Sequence, residues 1–134
     1  MSVLTARFDV PLGAHAPRTA RHATTAVLTG WGYRDDIWLD QAAVVISELV
    51  TNAVRHGGGC VEVSMECHHG RVTLLVADGS SVVPRRRDAD SCGGRGLALI
   101  EALTTRWGVR DHQGGKQVWA DLLPCPAGHR AHRS

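Results

Sequence analysis

At Gly57-Gly58-Gly59 the chain changes its period, and that switch limits the folds open to it. Before the glycines, Ile46, Leu49, Val50 and Ala53 recur three and four residues apart, which sets one apolar stripe on a helix. After them, in "CVEVSMEC", Val61, Val63, Met65 and Cys67 alternate with Glu62, Ser64 and Glu66, the pattern of a strand with one buried face. A helix and a strand that each have a single apolar side must bury those sides against each other, so helices have to layer on a sheet.

The remaining segments fit that plan. "TARFDV" (5–10) reads as a first strand, and Pro17 suits the opening turn of a helix carrying Ala20, Ala23, Val27, Leu28 and Trp31. Asp35 and Asp36 offer a cap and first-turn negative charge for the helix that runs to about His56. "HHG" is a turn into the strand "RVTLLVAD". Residues 79–93, "GSSVVPRRRDADSCG", have no period and read as a long surface loop, a length that compact domains reserve for lids and binding segments. Helical spacing resumes at Leu97, Ile100, Leu103 and Trp107, and "WGVRD", the turn "HQGG" and "KQVWADLL" close the fold as a hairpin. The expected architecture is α+β: a two-layer α/β sandwich whose mixed, mostly antiparallel sheet is covered on one face by helices. A single domain over residues 1–123 is expected, with 124–134, "PCPAGHRAHRS", as a disordered tail.

Composition narrows the function. With 134 residues, 43% hydrophobic and 21% charged, the chain has enough apolar material for one core. A net charge of +2, one Phe and one Tyr give little support to nucleic-acid binding, whether electrostatic or by base stacking. No apolar run reaches the ~18 residues of a membrane span. "MSVLTARFDV" lacks a secretion pattern, and the four cysteines show no CxxC pair, so reduced thiols in a cytoplasm are expected.

Three features carry chemistry. Glu48, Asn52 and His56 lie four apart, each advancing about 40° around the helix, so they share one edge. Such an edge is either a solvated face or a site; Val45 on the Asn52 side and the triple glycine beyond favour a site. In "RVTLLVAD" the inward series Val72, Leu74, Val76 continues in phase to Asp78, so the last inward position is a carboxylate. It either caps the "DG" turn or meets a ligand that donates hydrogen bonds to it. In "CGGRGLALI" glycines open a helix, as in many loops and as in sites where free N–H groups and the helix dipole hold an anion.

In that order, a helix with Glu-x-x-x-Asn, a strand ending in Asp, a long loop and a Gly-x-Gly helix start resemble the Bergerat-type ATP-binding fold. DNA gyrase, the large heat-shock chaperone ATPases and histidine kinases share it. Over residues 15–123, "ISELVTNAVRHG", "RRR" in the lid, "GGRGLALIEAL" and "GKQVWADL" are similar to the short anti-sigma factor serine kinases of that superfamily.

The resemblance implies ATP and Mg²⁺ as cofactors, with Asn52 coordinating the metal. It implies Glu48 as the base toward a serine hydroxyl of a partner protein, and His56 beside the phosphates. Asp78 would accept the adenine amino proton, with Ser80 nearby in the lid, while the backbone of Gly94, Arg95, Gly96 and Leu97 would hold the phosphates. A sigma factor, an anti-sigma-factor antagonist and a second copy of the chain are the partners it implies. The family's Asp-x-Gly-x-Gly loop reads "DGSSV" here, with Ser80 and Ser81-Val82 where glycines are usual, and Gln117 replaces a frequent hydroxyl residue. These departures keep a second function open, a nucleotide-dependent partner switch without phosphotransfer.

Overall fold

The computed structural model describes residues 3–11, 13–56, 60–78 and 94–126. Five strands, β1 (Val3–Pro11), β2 (Cys60–His68), β3 (Arg71–Asp78), β4 (Thr104–His112) and β5 (Gly115–Leu122), form one sheet in the order β1-β2-β3-β5-β4. Every ladder in it is antiparallel. Helices α1 (Ala16–Gly30), α2 (Asp36–His56) and α3 (Gly94–Leu103) supply the second layer, which is the two-layer α+β sandwich expected.

Local chemistry sets the helix ends. α1 stops in a Schellman motif: the Tyr33 N–H reaches the Leu28 carbonyl at 3.1 Å and the Gly32 N–H reaches Thr29 at 3.0 Å. Gly32 sits there at φ 103°, a conformation that a Cβ would strain. Asp35 caps α2 as expected, its Oδ1 accepting the Trp38 N–H at 2.8 Å. Both tight hairpins have two residues at positive φ, His69 (56°) with Gly70 (78°) and Gln113 (49°) with Gly114 (83°). That geometry matches the strands' right-handed twist and fixes the registers.

The core lies between the layers. Val61, Val63 and Met65 of β2, Leu74 and Val76 of β3 and Ala120 of β5 pack with Ile46, Leu49 and Val50 of α2, all buried. Beside it Tyr33 stacks on Trp38, with ring centroids 4.7 Å apart, and its hydroxyl lies 3.2 Å from the Cys67 sulfur.

Three expectations change. The first strand begins at Val3 rather than Thr5. On α1 the buried stripe is Ala16, Ala20, Thr24 and Leu28, while Ala23, Val27 and Trp31 are only half-buried. Small residues at every fourth position let α1 lie close to α2, and that closeness outweighs side-chain bulk. Third, the helical spacing that reached Trp107 is cut at Leu103, and Thr104 begins β4 directly. Two successive β-branched threonines favour the extended chain. The Thr104 hydroxyl bonds the Ile100 carbonyl at 2.6 Å and closes the helix.

β3 is also less half-polar than its alternation suggests, since Leu75 and Ala77 are buried on the face away from the helices. Trp119 is the ladder partner of Leu75 and crosses to Gly108, where a Cβ would meet its ring at 2.8 Å. The Arg106 guanidinium lies 5.5 Å from the same ring. Arg106 also donates to Asp121 at 3.1 and 3.2 Å, and the Thr73 hydroxyl donates to it at 2.6 Å, so this buried carboxylate is satisfied.

Candidate functional site

Two anchors give α2 its direction. Near its start the Trp38 indole N–H donates to the Leu123 carbonyl, 2.7 Å away, just past the end of β5. At its other end only residues 57–59 separate His56 from Cys60, the first residue of β2. The C-terminal end of α2 is thereby tied to the sheet end that holds the start of β2 and the close of β3, where Glu62 pairs with Ala77. α3 passes straight into β4 at the opposite sheet end, where Thr104 pairs with Leu122. At about 1.5 Å per residue its ten residues carry its first turn roughly 15 Å back along the layer, beside α2. The end of α2, the end of β3 and the start of α3 therefore converge, so the chain's order brings the separated motifs to one end of the sheet.

On the α2 edge, Glu48 is half-buried and Asn52, one turn on, is 8% exposed. Val45 and Leu49 beside them are fully buried, so this edge is not a wet face. The Asn52 Nδ2 has no hydrogen-bond partner among the described residues. An amide left so costs about 1–3 kcal/mol in desolvation, and a ligand, ion or water that makes the missing bond offsets that cost. Asn is also chemically suited to a phosphate-bound cation: its carbonyl oxygen is a neutral hard ligand, and its NH₂ can donate to a phosphate oxygen.

The other sequence candidates fall as follows. His56 is the last residue of α2 and Asp78 the last of β3; their side chains lie outside the described residues, as do those of Arg95 and its neighbours Gly94 and Gly96 at the opening of α3. Leu97 is buried in the core at 2% exposure, so any contact it makes with an anion is through its backbone. Ser80 and the rest of 79–93, including the "RRR" run, lie outside the described residues. Gln117 is buried, its Oε1 accepting the Arg110 Nε–H at 2.8 Å. Among the described residues no cluster of His, Cys, Asp or Glu could hold a metal ion, and the neighbouring His68 and His69 rings make only a tilted contact.

The family model of the histidine kinase-like ATPase domain matches residues 11–122. The chain belongs to that family. The match spans every element from the end of β1 through β5 and so takes in both helices and the strand that frame the converging ends. A solved structure of the RsbU and RsbW domains of Rv1364c from Mycobacterium tuberculosis is similar in fold, with a TM-score of 0.68 and 24% identity over 90% of this chain. This chain spans 32% of that one, about a third of its length. Among curated proteins none matches. Membership makes ATP the ligand that a histidine kinase-like ATPase domain is built for, and the buried, partnerless amide of Asn52 fits such a ligand. No helix among the described residues is long and apolar enough to cross a membrane.

Two residues of this end escaped the sequence reading. Lys116 is the ladder partner of Asp78 on one side and of Asp111 on the other. The signal was present in "DHQGGK": a two-residue turn at 113–114 pairs 112 with 115 and 111 with 116.

Proposed function

We infer that the protein is an ATP-dependent regulator of the anti-sigma factor type, a serine protein kinase whose substrate is an antagonist of the anti-sigma factor. The observation that carries the reading is the α2 edge, a half-buried Glu48 one turn before a buried Asn52 whose amide nitrogen is unpartnered. The motif resemblance over residues 15–123 supports the finer assignment. ATP supplies the phosphoryl group. Asn52 would hold a magnesium ion through its amide oxygen, and the ion would offset the phosphate charge. Glu48 accepts the proton of the partner's serine as the serine oxygen bonds to phosphorus and the bond to the leaving diphosphate breaks. Asp78 accepts from the adenine amino group, and the N–H groups that open α3, from Gly94 to Leu97, take the phosphate charge. By the resemblance, Ser80, His56 and Arg95 would add contacts to the nucleotide. Placing a serine within reach of one carboxylate, in a site that holds the phosphates fixed, accounts for most of what such catalysis requires. The partners are a sigma factor, an anti-sigma-factor antagonist and a second copy of this chain, and the setting is the cytoplasm.

A second reading has one feature in its favour. With "DGSSV" in place of the glycine-rich loop, the domain would switch partners on nucleotide binding without transferring phosphate.

Incubation with Mg-ATP and candidate antagonists separates the two. The kinase gives phosphoserine on an antagonist, lost in Glu48→Ala while ATP binding persists. ATP binding with no transfer to any antagonist establishes the switch instead.

A further inference from the structure

At the sheet end away from the converging motifs lies a groove of about 520 Å³. His69 and Arg71 at the β2–β3 turn, Thr105 and Arg106 of β4, and Leu122 and Pro124 line it, and none of its lining residues is acidic. β3 begins at this groove and ends at Asp78, so at about 3.3 Å per residue the two sheet ends stand roughly 23 Å apart. Arg106 is clamped in place. Its Nε and Nη2 donate to Asp121 Oδ2 at 3.2 and 3.1 Å, and the Thr73 hydroxyl holds the other oxygen of that buried carboxylate at 2.6 Å. The Arg106 side chain is still 65% exposed, and its Nη1 makes no bond to a described residue. A guanidinium fixed in this way loses little freedom when its remaining donors take up a ligand. Arg71 is exposed and makes no ion pair with a described residue.

We propose that this groove docks an acidic segment of a partner protein, whose carboxylates meet Arg71 and the free edge of Arg106. Charge complementarity selects the occupant. The buried Asp121 balances one guanidinium, so the surplus positive charge comes from Arg71, and the sequence after Pro126 adds Arg130 and Arg133 but no acid. The size of the groove favours a peptide over a lone oxyanion, since it has room for several residues and Pro124 gives their side chains an apolar contact. No helix start is among its lining residues to supply the N–H cradle that a phosphate prefers. Docking here leaves the far end of the sheet open, so a partner can be held whether or not nucleotide is bound.

The test is a titration of the isotope-labelled full chain with hexaglutamate at low ionic strength, followed by amide chemical shifts. Saturable shifts are expected at Gly70, Arg71, Thr105 and Arg106. Arg71→Gln should weaken the affinity at least about threefold, and Arg71→Glu more. Arg18→Gln removes an exposed charge from α1, whose start follows the opposite end of the sheet, and should leave the affinity within about twofold. The unfolding midpoint should not move in Arg71→Gln, because no described partner is lost. An equal loss in Arg18→Gln overturns the proposal, since the peptide would then be reading net charge alone. Absence of saturable shifts at the groove overturns it too. So does inorganic phosphate that moves the same amides where hexaglutamate does not, which would make the groove a simple anion site. None of these results depends on whether the chain binds ATP.

Discussion

The two halves of α2 treat their polar groups in opposite ways. In the first, buried polar groups are met within the chain: Asp35 caps the helix, and the Trp38 indole N–H bonds the Leu123 carbonyl. The segment after β5 lies against this end, where burial and then the Asp35 charge push the Cys125 thiol above its ordinary value. In the second half Asn52 is buried with its amide nitrogen unpartnered, although Thr51 beside it finds the Ser47 carbonyl at 2.7 Å. One half is sealed by the fold, and the other leaves a buried donor without a partner among the described residues. Thr24 of α1 sharpens the contrast. It too is buried with an unpartnered hydroxyl, whereas Thr51 and Thr104 each bond the carbonyl four residues back. Thr24 lies in the middle of the α1 stripe between Ala20 and Leu28, among apolar neighbours. An orphan there is a cost of packing, whereas the Asn52 orphan lies beside a half-buried glutamate, which is where the proposed function puts the nucleotide.

Substitution breaks the comparison in a definite order. Trp38→Ala removes a buried ring, its stack on Tyr33 and its bond to Leu123, and should cost about 3–5 kcal/mol of unfolding free energy in urea. Nucleotide affinity in the folded protein should not move. Asn52→Ala should do the reverse. Stability stays within about 1 kcal/mol, since no hydrogen bond of the amide nitrogen to a described residue is lost, while Mg-ATP binding falls by about 1.5–3 kcal/mol, or roughly ten- to a hundredfold in calorimetric affinity. Thr24→Val is the smallest effect. It should raise the unfolding free energy by up to about 1 kcal/mol by removing a desolvated hydroxyl, and leave ATP binding unchanged. If Thr24→Val weakened ATP binding as Asn52→Ala does, the distinction between the two orphans would be lost.

Much of this was legible in the sequence, for identifiable reasons. α2, β2 and β3 are regular segments with strong single periods, and the residues they turn toward the core between the layers are those the period selects. Turn chemistry at His69-Gly70 and Gln113-Gly114 fixed both hairpins. The end of α3 was misread because Trp107 keeps helical phase by coincidence, and two threonines decide the matter. The buried outer face of β3 was invisible because its cover, Trp119 and Arg106, comes from strands far along the chain. The spacing of Glu48 and Asn52 placed both on one edge of α2, but spacing cannot say whether an amide finds a partner. The row from Asp78 to Asp111 required the register of two ladders, only one of which a local turn fixes.

The central claim is that this end of the sheet holds an adenine nucleotide, read by Asp78 and gripped through Asn52. Calorimetric titration with ATP and ADP, with and without magnesium, on the wild type and on Asp78→Asn tests it most directly. The account predicts saturable binding of both nucleotides by the wild type, tighter ATP binding with magnesium, and at least a tenfold loss in Asp78→Asn. No heat of binding at millimolar nucleotide, or equal affinity in the two proteins, would contradict it.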